Sequence, residues 1–451
     1  MRHSLRDRQS YAWSLAATLA LLAGACSESE GPEGVAGFGG VPGAGGSAGT
    51  GALGGSGGSG ALGGSGGSGA GGTGSGGTGL GGSGGSAGGG GSAGTDAGPQ
   101  PVANARYAYV GSGSNAIYVF TIDDATGALT PLGTPLPVNP NPSFLAFTPD
   151  GRYLLAVNEG DNVDNANAGA VSSFAINPQS GAISFINRVP SGGTGPAHVS
   201  SARSGNFAFV ANYNGGTAAV FPLSVNGTLS AAVDTETFGG GAQTHQILVD
   251  VTNTFVFVVN KGLSNIAQFD FDAATGALTA NTPATVALAN QAGTRHMAFH
   301  PSAPFAYAIN ELDDTVVTLS YNATEGTLAS LQTLSSLPAG ANGGNNTGAE
   351  IVVAPSGNFV YASNRGDDSI AIFAVDPTTR QLSLVDHQAT GGATPRSFTL
   401  EASGRRMLVA NQGANEVVSF SVDTATGLLT ETSTVSVPSP QFVGTYPPGG
   451  S

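Results

Sequence analysis

Two positions, sixteen residues apart and recurring along the chain, hold most of the side chains that could do chemistry. The first reads Ser143, Ala197, His245, Arg295, Ala349 and Arg396; the second reads Glu159, Tyr213, Lys261, Glu311, Arg365 and Gln412. Each member of the second set follows an asparagine: Asn158, Asn212, Asn260, Asn310, Asn364 and Asn411. The repeated Asn reads as structural, its side chain bonding the backbone of the turn that leaves the strand. The residue after it varies freely in charge, which a purely structural position has little need to do. From Arg106 onward the chain has eleven Lys and Arg, and Lys261, Arg295, Arg365 and Arg396 all fall in these two positions. Convergent polar groups at a concave mouth make a ligand site, and cations there suit an anionic ligand. The plainer alternative is mutual pairing in a wet channel, Lys261 with Glu311 for instance.

What must gather these residues is a repeat. The stretch TRHMAFHPSAPFAYAINELDDTVVTLSYNATEGTL, Thr294 to Leu328, reads as strands joined by tight turns. Copies of its second strand begin at Tyr107, Tyr153, Phe207, Phe255, Phe305, Phe359 and Met407. A period of roughly fifty residues is that of propellers and arrays. Alternating, β-branched runs bounded by Gly, Asn and Asp are strand signals. Four short antiparallel strands make one blade, and only a closed ring of blades buries both faces of each. The expected fold is all-β, a seven-bladed propeller. Six copies are preceded by an inner strand: PSFLAF, PAHVSS, QTHQIL, TRHMAF, GAEIVV and PRSFTL. The first has only linker before it, so SPQFVGTY, Ser439 to Tyr446, is expected to supply its inner strand and remove the open edge; the alternative is a frayed tail. Inner-strand ends surround the mouth of the central channel, which places both recurring positions there.

The remainder of the chain reads as an address and a tether. Residues 1–26 begin with Arg2, Arg6 and Arg8, continue with an apolar run too short to span a bilayer comfortably, and end in LLAGAC. That is a secretory signal. The cysteine after Ala-Gly-Ala resembles a bacterial lipoprotein signal, although Ala23 stands where Leu is usual. The resemblance implies acylation of Cys26, and Ser27 implies sorting to the outer membrane. Ordinary cleavage near Ala25 is the alternative. The expected location is the cell envelope, with a lipid anchor on the periplasmic or surface face. Cys26 is the single cysteine, so no internal disulfide forms. Residues 27–101 are dominated by Gly, Ser, Ala and Thr, a composition that cannot offset its ordering entropy. As a flexible coil of about seventy residues this spacer has an end-to-end distance of roughly 45 Å. Its glycine runs lack the flanking strand and helix of a phosphate loop. The propeller is expected over 102–446, with 447–451 a tail. A net charge of −15 and no basic patch argue against nucleic acid.

The segments TRHMAFHPSAPFAYAINELDDTV, AEIVVAPSGNFVYASNRGDDSIAIF and TPRSFTLEASGRRMLVANQGANEVV resemble the seven-bladed propeller lactonase family. That family includes bacterial 6-phosphogluconolactonases of the propeller type and the fungal carboxymuconate cyclase. The likeness runs from about Tyr107 to Tyr446. It implies a site of His245, Arg295, Glu311 and Arg365, on the fourth, fifth and sixth blades, where the cyclase uses His, Arg, Glu and Arg. Many relatives read His-Ala-His where this chain reads Gln243-Thr244-His245, so a first histidine is missing. The implied reaction is hydrolysis of a sugar lactone or related cyclic ester. Glu311 or His245 would take a proton from water. Arg295 would face the developing oxyanion. Arg365, with Lys261 or Arg396, would hold a phosphate or carboxylate in bidentate fashion. Glu159 and Tyr213 complete the candidate substrate-binding set.

Other residues read as weaker candidates. His198 and His296 stand one place further along their strands, so alternation turns them to the opposite face, for packing or blade contacts. His300 reads as structural. The Asp/Asn-rich insertion Asp161 to Gly169 lacks a recognised calcium spacing. No zinc cluster, cofactor motif or serine-nucleophile elbow is present in the sequence. Two functions therefore stand: an exported lactonase, or a surface propeller that binds a protein, glycan or small anion without turning it over. Ring closure permits a monomer.

Overall fold

The computed structural model describes residues 106–341 and 343–448. The signal segment with Cys26, the spacer over 27–101 and the last three residues lie outside the described residues. Among the described residues seven antiparallel sheets follow one another, six of four strands and one with an extra short strand. The extra piece, Leu136–Pro137, pairs with Ala116–Ile122 in the first blade.

The C-terminal strand Pro440–Tyr446 is the inner strand of the first blade, antiparallel to Tyr107–Ser112 with Tyr107 opposite Tyr446. The Arg106 N–H donates to the Tyr446 carbonyl at 2.7 Å. The ring is therefore closed by the far end of the chain, and its first sheet has no open inner edge. From the second blade to the seventh, the inner strands are Leu145–Phe147, Pro196–Ser201, Thr244–Val249, Thr294–Phe299, Thr347–Val353 and Pro395–Leu400. Each touches its neighbours in a closed cycle.

The core is divided among the seams between blades. Among the described residues seven hydrophobic clusters are present, each drawing on two adjacent sheets. Every residue of the second strand Phe255–Asn260 is buried because one blade covers each of its faces. This is why a near-continuous apolar run, rather than strict alternation, marks these strands. Polar side chains stitch the seams: the Tyr109, Tyr307 and Tyr361 hydroxyls donate to turn carbonyls of Gly181, Arg380 and Gly427 in the next blade.

The repeated asparagine works differently from the expectation. It does not bond the backbone of the turn leaving the strand. Four of the six reach the chain segment entering their blade, as in Asn212 Nδ2 to Ser191 O at 2.9 Å and Asn364 Nδ2 to Ser336 O at 2.7 Å. Asn158 and Asn411 do likewise with Asn139 and Thr390. Asn260 and Asn310 accept from the hydroxyls of Thr244 and Thr294 at the head of the inner strand. In the first blade Ser112 takes this place and donates to the Pro438 carbonyl. The asparagine thus locks the head of each inner strand, which is where the candidate residues sit.

One local irregularity recurs. The ladder between inner and second strands skips a residue near the strand head in six blades. In five the skipped residues are Gln441, Ala197, His245, Arg295 and Arg396; in the sixth blade Ala349 and Glu350 together oppose Ser363. Five of the six residues at the first recurring position of the sequence, all but Ser143, therefore lie at a β-bulge. A bulge re-aims the side chains on either side of it and breaks strict alternation.

Candidate active site

Glu311 lies at the centre of the cluster. Its Oε1 meets Lys261 Nζ at 2.8 Å; its Oε2 meets Arg365 Nη2 at 3.1 Å and Arg295 Nε at 3.2 Å. Arg365 closes the second strand of the sixth blade, and Glu311 and Lys261 directly follow those of the fifth and fourth. Each directly follows one of the repeated asparagines, whose side chains are themselves hydrogen-bonded. Arg365 can end its strand so abruptly because Gly366 has φ +128, and a Cβ there would stand 2.6 Å from the Asn345 carbonyl. Arg295 is 3% exposed in its side chain, and its Nη1 donates to the Ala349 carbonyl of the next blade at 2.5 Å. Arg365 Nη2 donates to Gly348 O at 3.0 Å, while its Nε is buried without a partner.

The histidines form a second chain of contacts. His245 Nδ1 lies 3.2 Å from His296 Nε2, and His296 Nδ1 lies 2.8 Å from Glu350 Oε1. The expectation that His296 faces away is corrected here, while His198 packs against a ring. After the bulge at Arg295, His296 also turns inward, and it spans from the fourth blade to the sixth. His198 stacks on Phe144 with centroids 4.2 Å apart and meets His296 edge-on at 5.6 Å. Phe144 in turn packs on Phe442 of the closing strand. These rings form an apolar floor against which the His245–His296 pair packs.

Electrostatics follow from this burial. Burial pushes the His245 imidazole well down, and the Arg295, His296, Arg396 and Lys261 charges push it further. Burial also lowers His296, opposed by Glu350. Both rings are neutral at pH 7. Burial raises the Glu311 carboxyl, but Arg295, Arg365 and Lys261 together outweigh it and hold it below the usual carboxylate range. Burial, then the Arg365 and Arg396 charges, brings Arg295 down to about 9.

Of the eight side chains expected at the site, the structure gathers seven. Tyr213 OH accepts from Lys261 Nζ at 3.1 Å, and the Tyr213 ring meets His245 edge-on at 5.6 Å. Arg396 is half-buried, acts electrostatically on Arg295, His245 and Arg365, and has no hydrogen bond or ion pair among the described residues. Glu159 is the exception: it accepts from Asn141 Nδ2 at 3.2 Å and makes no contact with the cluster among the described residues. Mutual pairing and convergence both occur, since Lys261 pairs with Glu311 within the same group. Sequence reasoning missed Glu350 and passed over His296. The available signal was position, because each directly follows a member of the first recurring set.

Elsewhere, His300 is structural: its Nδ1 accepts from the Ser302 and Ala303 N–H groups and its Nε2 lies 3.1 Å from Gly357 O. In the Asp/Asn-rich insertion, Asp161 accepts from Asn214 and Asp164 pairs with Arg188. Among the described residues no group of three or more His, Cys, Asp or Glu could hold a metal ion.

Residues 107–445 match the family model described as "Lactonase, 7-bladed beta-propeller". The chain belongs to this lactonase family. A 6-phosphogluconolactonase of Bacillus subtilis is 31% identical over 344 residues, covering 74% of this chain and 95% of that protein. The 6-phosphogluconolactonase of Serratia proteamaculans is 32% identical over 320 residues, covering 70% and 91%. Among solved structures, the periplasmic gluconolactonase of Pseudomonas aeruginosa superposes with a TM-score of 0.70 at 30% identity, covering 75% of this chain and 98% of that one. The matched region of this lactonase-family chain contains the whole cluster around Glu311.

Proposed function

We propose that this chain is an exported lactonase that opens a sugar lactone or related cyclic ester. The observation that carries the reading is a neutral, buried His245 whose Nε2 makes no hydrogen bond among the described residues, set beside the cations gathered by Glu311. His245 Nε2 removes a proton from water, and the water oxygen bonds to the lactone carbonyl carbon. Negative charge collects on the former carbonyl oxygen, facing Arg295 and the unpartnered Nε of Arg365. The ring C–O bond then breaks, the proton passes from His245 to the leaving oxygen, and a hydroxy acid departs. Glu311 is not the base, because both its oxygens are engaged by Lys261, Arg365 and Arg295. Its role is to seat those cations.

Arg396, without a hydrogen bond or ion pair among the described residues, is the anchor for a phosphate or carboxylate on the substrate. The lipoprotein-like leader favours a substrate met outside the cytoplasm. That weighs against a phosphorylated cytosolic lactone and towards the class named for the periplasmic gluconolactonase. Cys26 and the Gly/Ser spacer would then tether a monomeric propeller to the outer membrane.

The test is turnover by purified protein on a panel of sugar lactones and their 6-phosphates. Hydrolysis above the spontaneous rate, lost in Arg295→Ala, is the expected result. No turnover of any member overturns the reading and leaves a surface propeller that binds its ligand unchanged.

A further inference from the structure

We infer that Glu350 and His296 are positioning residues that fix the tautomer of His245 and hold its Nε2 as a bare base. This deepens the lactonase reading and rests on it for the role of His245. Glu350 Oε1 already accepts the Ile351 N–H at 3.1 Å, so towards His296 Nδ1 at 2.8 Å it is again the acceptor. His296 therefore carries its proton on Nδ1. A neutral imidazole with a proton on Nδ1 has a lone pair on Nε2. That lone pair meets His245 Nδ1 at 3.2 Å, so His245 donates there and its own proton is on Nδ1. The one nitrogen left over is His245 Nε2, which has no partner among the described residues, on a ring that feels the charges of Arg295, Arg396 and Lys261.

The arrangement answers an electrostatic difficulty. A base ringed by Lys261, Arg295 and Arg396 must become a cation when it takes a proton. Glu350, reached through His296 on the far side of the ring, supplies the compensating negative charge. The same logic holds a serine-protease histidine through its buried carboxylate, where the amide isostere selects the wrong tautomer. The bulges at Arg295 and at Ala349–Glu350 are what allow His296 and Glu350 to reach inward together.

Two readouts separate this role from simple packing. The first needs no turnover: long-range proton–nitrogen correlation on the full-length chain labelled with 15N-histidine, with the rings assigned by His245→Gln and His296→Gln. At pH 7 both rings should show a protonated Nδ1 and a bare Nε2, and Glu350→Gln should convert part of the His296 signal to the other tautomer. A protonated His245 Nε2 in the unaltered chain overturns the inference. The second is kinetic: Glu350→Gln should lower kcat by about 10²–10⁴-fold with KM little changed, and Glu350→Asp should restore part of it. The acid limb of kcat/KM should also move to lower pH in Glu350→Gln, since the carboxylate that raises His296, the partner of His245, is gone. The other charged or titratable groups facing the pair, His198, Tyr213, Lys261, Arg295, Glu311, Arg365 and Arg396, are unchanged in that variant. An unaltered kcat and acid limb in a chain that does hydrolyse lactone overturns the relay alone. Correct tautomers in a chain that hydrolyses none overturn the lactonase reading alone.

Discussion

Replacing Glu311 with Gln removes the anion that holds three cations together while keeping nearly the same volume. The carboxylate is 13% exposed and meets Lys261, Arg365 and Arg295 at 2.8, 3.1 and 3.2 Å. Removing one partner of such a buried group costs about 3–5 kcal/mol, since the remaining charges stay desolvated and now repel. A propeller of roughly 340 residues has an unfolding entropy near 0.7 kcal/mol/K, so Tm should fall by about 4–7 °C at pH 7. The pH dependence has a definite sign. The folded-state pKa of Glu311 is depressed, so its stabilisation is fully present above the unfolded value of about 4.3 and is lost as pH falls through the folded value. The gap in Tm between wild type and variant should therefore narrow below about pH 4. Differential scanning calorimetry from pH 3 to pH 8 measures it. A variant within 1 °C, roughly the shift of a surface change, at pH 7, or a gap that does not close in acid, would refute the reasoning.

Three further outcomes follow. Arg295→Ala should lose ~10²–10³ in kcat, the usual effect of removing one oxyanion donor, while circular dichroism shows an intact fold because Glu311 keeps Lys261 and Arg365. Arg396→Ala should raise KM for lactones bearing a phosphate or carboxylate and leave neutral lactones unaffected, read from paired Michaelis curves. Cys26→Ser should abolish incorporation of labelled fatty acid and move the protein from the membrane fraction to the soluble one.

The ring was legible because its physics is periodic. Seven second strands beginning with Tyr, Phe or Met, each flanked by turn residues, repeat too regularly to be separate elements, and SPQFVGTY had no other sheet to join. The recurring positions were legible for the same reason: His245, Arg295, Lys261, Glu311 and Arg365 depart from their own copies. What alternation could not show was the bulge. A skipped residue leaves no mark in a strand's composition, so His296 was assigned to the wrong face and Glu350 passed as part of the strand GAEIVV. Glu159 failed for the opposite reason. It occupies the recurring position, yet its local partner Asn141 holds it. Position in a repeat places a Cα, while the direction of a side chain depends on neighbours from other blades.

The most direct measurement is kcat/KM of His245→Ala relative to wild type, on whichever lactone the protein opens fastest. With His245 as the base, it should fall by about 10²–10⁴-fold. Equal rates in the two proteins would contradict the assignment of this imidazole as the group that activates water.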